Sequence, residues 1–115
     1  ADVGVRAPGT LAAHYAPSAE VVIATADGVE AAVADAAAPV ALMAPATVPT
    51  PDGVLRLAEP DDAAAYARSL YAALRAADAA HVRTVVAVAP PDGAGALGSA
   101  VLDRLQRAAV GSART

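Results

Sequence analysis

The run Val82-Arg83-Thr84-Val85-Val86-Ala87-Val88-Ala89 decides the fold. It is rich in β-branched residues and reads as a buried strand. Two runs of the same kind precede it, Glu20-Val21-Val22-Ile23-Ala24 and Val40-Ala41-Leu42-Met43-Ala44. The first of these reads as a strand buried on both faces. A further run, Val54-Leu55-Arg56-Leu57-Ala58, is less pure because Arg56 interrupts it, which places it nearer a sheet edge.

Helical patterns fill the intervals between these runs. Asp27-Gly28-Val29-Glu30 reads as a capping box with Asp27 as N-cap, and the helix runs to Ala38 and stops before Pro39. Pro45, Pro49, Pro51 and Gly53 make residues 45–53 a loop, with room for one helical turn at most. Glu59-Pro60-Asp61-Asp62 opens the longest helix, to Ala80, because proline is tolerated in a first turn and aspartates favour the positive dipole end. Its apolar stripe is Ala63, Tyr66, Ala67, Leu70, Tyr71, Leu74 and Ala77, with Arg68 and Arg75 on the polar side and His81 at its end. Pro90-Pro91-Asp92-Gly93 turns the chain into a last helix, residues 99–110, with Val101, Leu102, Leu105, Ala108 and Ala109 facing inward and Gly111 as its stop. Buried strands alternating with helices specify a parallel sheet in a three-layer α/β sandwich.

A length of 115 residues suits one domain. The apolar fraction of 57% overstates the core, since more than half of it is alanine and phenylalanine, tryptophan and cysteine are absent. Small side chains bury little area each, at roughly 25 cal/mol per Å2. Modest stability follows, of a kind that a neighbouring domain or a second copy would supplement. Net charge is −4 and all eight basic residues are arginine, which argues against direct nucleic-acid binding. No apolar run reaches a membrane span and no signal-peptide pattern is visible, so no membrane partner is expected. The absence of cysteine excludes disulfides and thiolate metal sites and fits a cytoplasmic location. A start at Ala1 in place of methionine reads as a fragment or a processed product.

Little in the domain carries chemistry. The turn Gly93-Ala94-Gly95-Ala96-Leu97-Gly98 matches G-x-G-x-x-G between a strand and a helix, where free N–H groups can bind an anion. It belongs to the last strand-helix unit, however, and the chain ends before the ribose-binding acid expected about 20 residues on. Gly93, Gly95 and Gly98 are therefore weak anion-turn candidates beside a purely structural turn. Two histidines are too few for a histidine metal cluster, and neither a G-x-S-x-G elbow nor a cysteine supplies a nucleophile. His81 at a helix C-terminus favours the negative dipole end. Tyr66 and Tyr71 lie on the apolar stripe and read as core. No catalytic, cofactor-binding or metal-binding residue is assigned.

The N-terminal arm is different. Arg6-Ala7-Pro8-Gly9-Thr10-Leu11-Ala12-Ala13-His14-Tyr15-Ala16-Pro17 holds the only His-Tyr pair and has no helix or strand period. It resembles the linker of the long form of threonylcarbamoyl-AMP synthase, the Sua5 family, in which a Pro-Gly step is followed after four residues by His-Tyr-(Ala/Ser)-Pro. The segment Ala67-Arg68-Ser69-Leu70-Tyr71-Ala72-Ala73-Leu74-Arg75-Ala76-Ala77-Asp78 is similar to that family's Ala-Arg-x-Leu-Tyr-x-x-Leu-Arg-x-x-Asp helix. Residues 95–109 are similar to its closing turn and helix. The three similarities occur in the family's order and cover residues 6–109.

The resemblance implies residues 1–18 as interdomain linker and residues 19–115 as a C-terminal Sua5 domain, Rossmann-like, with a mostly parallel sheet of four or five strands. The catalyst would be a separate N-terminal YrdC-like domain, absent from this chain. In the family that domain makes threonylcarbamoyl-AMP from L-threonine, bicarbonate and ATP, for the t6A modification of tRNA. The linker crosses its cleft, so Arg6, Pro8, Gly9, His14, Tyr15 and Pro17 are the implied cleft-cover residues. The chain would be an accessory, regulatory lid, inactive alone, of a nucleotidyltransferase. No cofactor belongs to this chain on that reading; ATP and magnesium belong to the parent enzyme. Many family members carry Lys or Arg and an aromatic residue where this chain has Leu11, Ala12 and Ala13. That departure shifts the linker's role from phosphate grip toward positioning and closure, with Arg6 as a partial substitute. The alternatives are an independent nucleotide-binding module at residues 93–98, or a structural module whose alanine-rich helix faces associate into oligomers.

Overall fold

The computed structural model describes residues 18–90 and 95–113. The chain forms β1 (Glu20–Ala24), a 3-10 turn (Ala26–Gly28) leading directly into α1 (Val29–Asp35), then β2 (Val40–Met43) and β3 (Leu55–Ala58). It continues with α2 (Ala63–Ala79), β4 (Thr84–Val88) and α3 (Gly95–Ala113). The four strands make one sheet in the order β1-β4-β2-β3, and every pairing is parallel. This is the parallel-sheet α/β sandwich anticipated from the strand runs, and the Rossmann-like form that the resemblance implies.

The two central strands are the two whose sequences lack charge. All five residues of β4 and all four of β2 are buried. Their one polar side chain, Thr84, donates its hydroxyl hydrogen to the Ala37 carbonyl at 2.9 Å, so its burial leaves no donor unmet. The charge-bearing strands lie outside: β1 contains Glu20 and β3 contains Arg56. For β3 the edge position agrees with the sequence. For β1 the expectation of burial on both faces is corrected: it is an edge strand, only Val21 is fully buried, and Val22, Ile23 and Ala24 are half-buried.

Side chains alternate between two cores as a period of two requires. Ala41, Met43, Val85 and Ala87 face α2 and α3, where Leu70, Leu74, Val101 and Leu105 complete the larger core. Val40, Leu42, Val86 and Val88 face the other way, onto Val29 of α1 and Val48 of the proline-rich loop. The sheet is thus covered unequally. Helices of 17 and 19 residues close one face, while a seven-residue helix and a loop close the other.

Local boundaries differ from the expected ones for identifiable reasons. Thr25, and not Asp27, caps the first helical stretch: its hydroxyl accepts from the Gly28 N–H at 3.1 Å. A capping threonine directly at the strand end starts the turn before Asp27 can serve. The helix ends at Asp35, and the extended Ala36 begins the run to Pro39. In α2, Pro60 lies before the helix and Asp62 is the N-cap, accepting from Ala65 N–H at 2.8 Å. Asp61 instead accepts from the Ala46 N–H at 3.1 Å, tying the helix start to the proline loop. Ala73 joins the buried stripe, whereas Ala67 and Tyr71 are only half-buried. The last helix begins at Gly95 and passes through Gly111 to Ala113, so it is the longest and Gly111 does not stop it.

Candidate functional site

Three places on the domain have the form of a site, and they differ in how well they are built. The first is the C-terminal edge of the sheet. From β1 the chain passes to α1 on one face, and from the adjacent β4 it passes to α3 on the other. Such a reversal opens the crevice where open α/β sheets bind ligands. The glycine turn lies here. Gly95 has φ +77°, a left-handed conformation that an L-residue adopts only with strain, and it begins α3 with open space around its Cα. Gly98 is buried within the helix. Gly93 lies outside the described residues.

The second is the opposite edge, where the linker joins. The Ser18 N–H donates to Asp78 Oδ1 at 2.9 Å, and the Glu20 N–H donates to the Arg83 carbonyl at 2.9 Å. These bonds fix the direction in which the chain enters β1. Beside them α2 ends in a Schellman arrangement: the Val82 N–H reaches the Ala77 carbonyl at 3.3 Å and the His81 N–H reaches the Asp78 carbonyl at 3.1 Å. His81 occupies the position glycine usually fills, with φ 59°. Ser18, Asp78, His81 and Arg83 border a shallow depression of about 610 Å3. The cleft-cover candidates Arg6, Pro8, Gly9, His14, Tyr15 and Pro17 lie outside the described residues.

The third place is a groove of about 580 Å3 between α1 and the proline loop, which sequence reasoning missed. Val29, Val33 and Val48 line it on one side, Pro49 and Pro51 form a wall, and Asp27, Glu30 and Asp52 bring carboxylates to it. The wall is held by Arg56, which the sequence presented as a mere interruption of a strand. Its Nη2 donates to the carbonyls of Ala44 and Pro45 at 2.8 and 2.6 Å. Its Nη1 donates to the Val48 carbonyl at 2.8 Å and the Thr50 hydroxyl at 2.9 Å, and Nε reaches the Ala58 carbonyl at 3.3 Å. Glu59 adds a peripheral ion pair at 3.9 Å. All five guanidinium hydrogens therefore have acceptors. The available signal was an arginine in a strand beside a loop rich in proline, whose carbonyls lack partners from proline N–H groups.

One further polar group is unusual. Tyr66 is buried among the larger core, and its hydroxyl has no hydrogen-bond partner among the described residues. Burial pushes its pKa well above the ordinary tyrosine value, so it stays neutral. Among the described residues no group of three or more His, Cys, Asp or Glu is placed to hold a metal ion. No described helix is long and apolar enough to cross a membrane.

A search of curated proteins finds no match to this chain. The family described as threonylcarbamoyl-AMP synthase, C-terminal domain, matches residues 1–110, taking in the arm, all four strands and most of α3. The chain belongs to the family of threonylcarbamoyl-AMP synthase C-terminal domains.

Proposed function

We propose that this chain is the accessory lid domain of an L-threonylcarbamoyladenylate synthase. The parent enzyme makes threonylcarbamoyl-AMP from L-threonine, bicarbonate and ATP, and the product supplies the t6A modification of tRNA. The chemistry, with ATP and its magnesium, resides in a YrdC-like N-terminal domain, to which residues 1–17 lead. The observation that carries this reading is the extent of the family match, which spans residues 1–110 and so takes in both the arm and the α/β unit. The Ser18–Asp78 and Glu20–Arg83 bonds support it, because a linker that covers a cleft needs a fixed point on the domain it leaves. His14 and Tyr15 are adjacent side chains of the arm that can hydrogen-bond to a substrate when the cleft closes.

The test is turnover of ATP to pyrophosphate in the presence of threonine and bicarbonate. Chain 1–115 alone is expected to show none, and the full-length protein is expected to turn over. His14→Ala or Tyr15→Ala in the full-length protein should lower kcat while leaving the melting temperature within about 2 °C. Turnover by the isolated chain, or equal losses of activity and melting temperature in the variants, overturns the lid reading.

A further inference from the structure

The groove between α1 and the proline loop has the construction of a docking site, and its charge indicates what docks. We propose that it receives a lysine- or arginine-bearing segment of the N-terminal domain of the same full-length protein. The occupant's identity rests on the domain-pair reading above; the groove itself does not.

Charge is the first argument. Residues 18–55 contain five acidic residues and no basic one, whereas α2 and α3 carry Arg68, Arg75, Arg104 and Arg107. Asp27, Glu30 and Asp52, all exposed, make no ion pair among the described residues. The nearest arginine in sequence, Arg56, cannot neutralise them, because its five N–H groups are committed to the loop. Three unpaired carboxylates around an apolar floor match a side chain with an apolar stem and a cationic head.

Preorganisation is the second argument. The wall carrying Pro49 and Pro51 is held by the Arg56 bonds, and Val48 anchors it in the smaller core. A groove fixed before binding loses little entropy when filled. Its volume of about 580 Å3 admits a few side chains and not a helix.

The tether is the third. The seventeen residues before Ser18 can span roughly 55 Å when extended, about three times the length of the five-residue β1 that lies between Ser18 and the groove residue Ala26. A covalent neighbour can therefore reach the groove from the opposite edge. Its effective concentration, on the order of millimolar, exceeds that of a second copy.

Amide hydrogen exchange on the full-length protein tests the proposal. Residues 26–34 and 48–54 should exchange about tenfold more slowly there than in chain 1–115. The variant Asp27→Asn/Glu30→Gln/Asp52→Asn should return them to the isolated-chain rate. So should raising salt from about 50 to about 500 mM, a control that needs no substitution. Equal exchange in the two proteins, or protection that survives both the triple variant and salt, overturns the proposal. A dimer of chain 1–115 in sedimentation that the triple variant disperses assigns the groove to a second copy and also overturns it. Turnover that requires this domain without groove protection sinks the groove and leaves the lid. Protection without any dependence of turnover on this domain does the reverse.

Discussion

Arg56→Met removes the guanidinium that holds the proline loop and leaves a stem of similar length against the strand. Five hydrogen bonds are lost, four to main-chain carbonyls and one to Thr50. A hydrogen bond to a charged group contributes about 1.5–3 kcal/mol to stability, but an acceptor that water can reach recovers most of that. The Arg56 side chain is only 16% exposed, so the bonds to Ala44, Pro45 and Val48 are the ones water replaces poorly. The expected loss is therefore about 3 kcal/mol, and the melting temperature of a domain this size should fall by about 12 °C or more. Arg56→Lys should cost roughly half as much, since an ammonium keeps the charge but offers three donors without the planar fork. Urea unfolding of chain 1–115 measures both, with an unchanged m-value as the sign that the denatured state is not altered. A loss below about 1 kcal/mol for Arg56→Met, or full replacement by lysine, refutes the claim that the guanidinium organises the loop.

Two further substitutions isolate single effects. Tyr66→Phe deletes a buried hydroxyl that has no partner among the described residues, so it should stabilise the domain by about 1 kcal/mol in the same urea assay. It should also flatten the alkaline limb. The folded-state pKa of Tyr66 is raised, so the unfolded chain loses its proton first, and stability present below pH 10 declines above it by about 1.4 kcal/mol per pH unit. The difference between parent and variant should grow with that slope; parallel curves count against the buried neutral hydroxyl. Gly95→Ala meets no atom within 4 Å, so its cost is backbone strain alone at φ +77°, about 1–2 kcal/mol. A neutral result there would mean that the start of α3 readily changes its conformation.

Much of this fold was legible because its central strands are chemically simple. β2 and β4 could be assigned from composition alone, since a strand covered on both faces tolerates no unpaired polar group and Thr84 has its partner. The order of strands was not legible, because pairing is set by contacts distant in sequence. β1 reads like a central strand although it lies at an edge, with α3 packed over it. The first cap was misplaced by two residues because Thr25 and Asp27 are both competent cap formers. Gly111 did not stop α3, since the penalty of about 1 kcal/mol for an interior glycine is small against an established helix. Of the candidate site, the place of Gly95 and Gly98 at the start of the last helix was legible in the sequence. The groove was not, because it depends on a loop that crosses back over the sheet.

The unequal covering of the sheet connects these observations. A face closed by long helices supplies its own cover, whereas one closed by seven helical residues and a loop depends on whatever holds the loop. Here that is chiefly Arg56, with the Asp61–Ala46 bond beside it. The Arg56 bonds place Val48 over Val40, Leu42 and Val86, and the same bonds set the proline wall of the groove. Core cover and groove wall are consequently one structure. Anything that pulls on the wall acts on the smaller core, and anything that settles against the wall stabilises that core. On the lid reading proposed above, the lightly covered face is the one through which contact with the neighbouring domain would reach the core. The larger core under α2 and α3 takes its cover from helices and depends on no such loop.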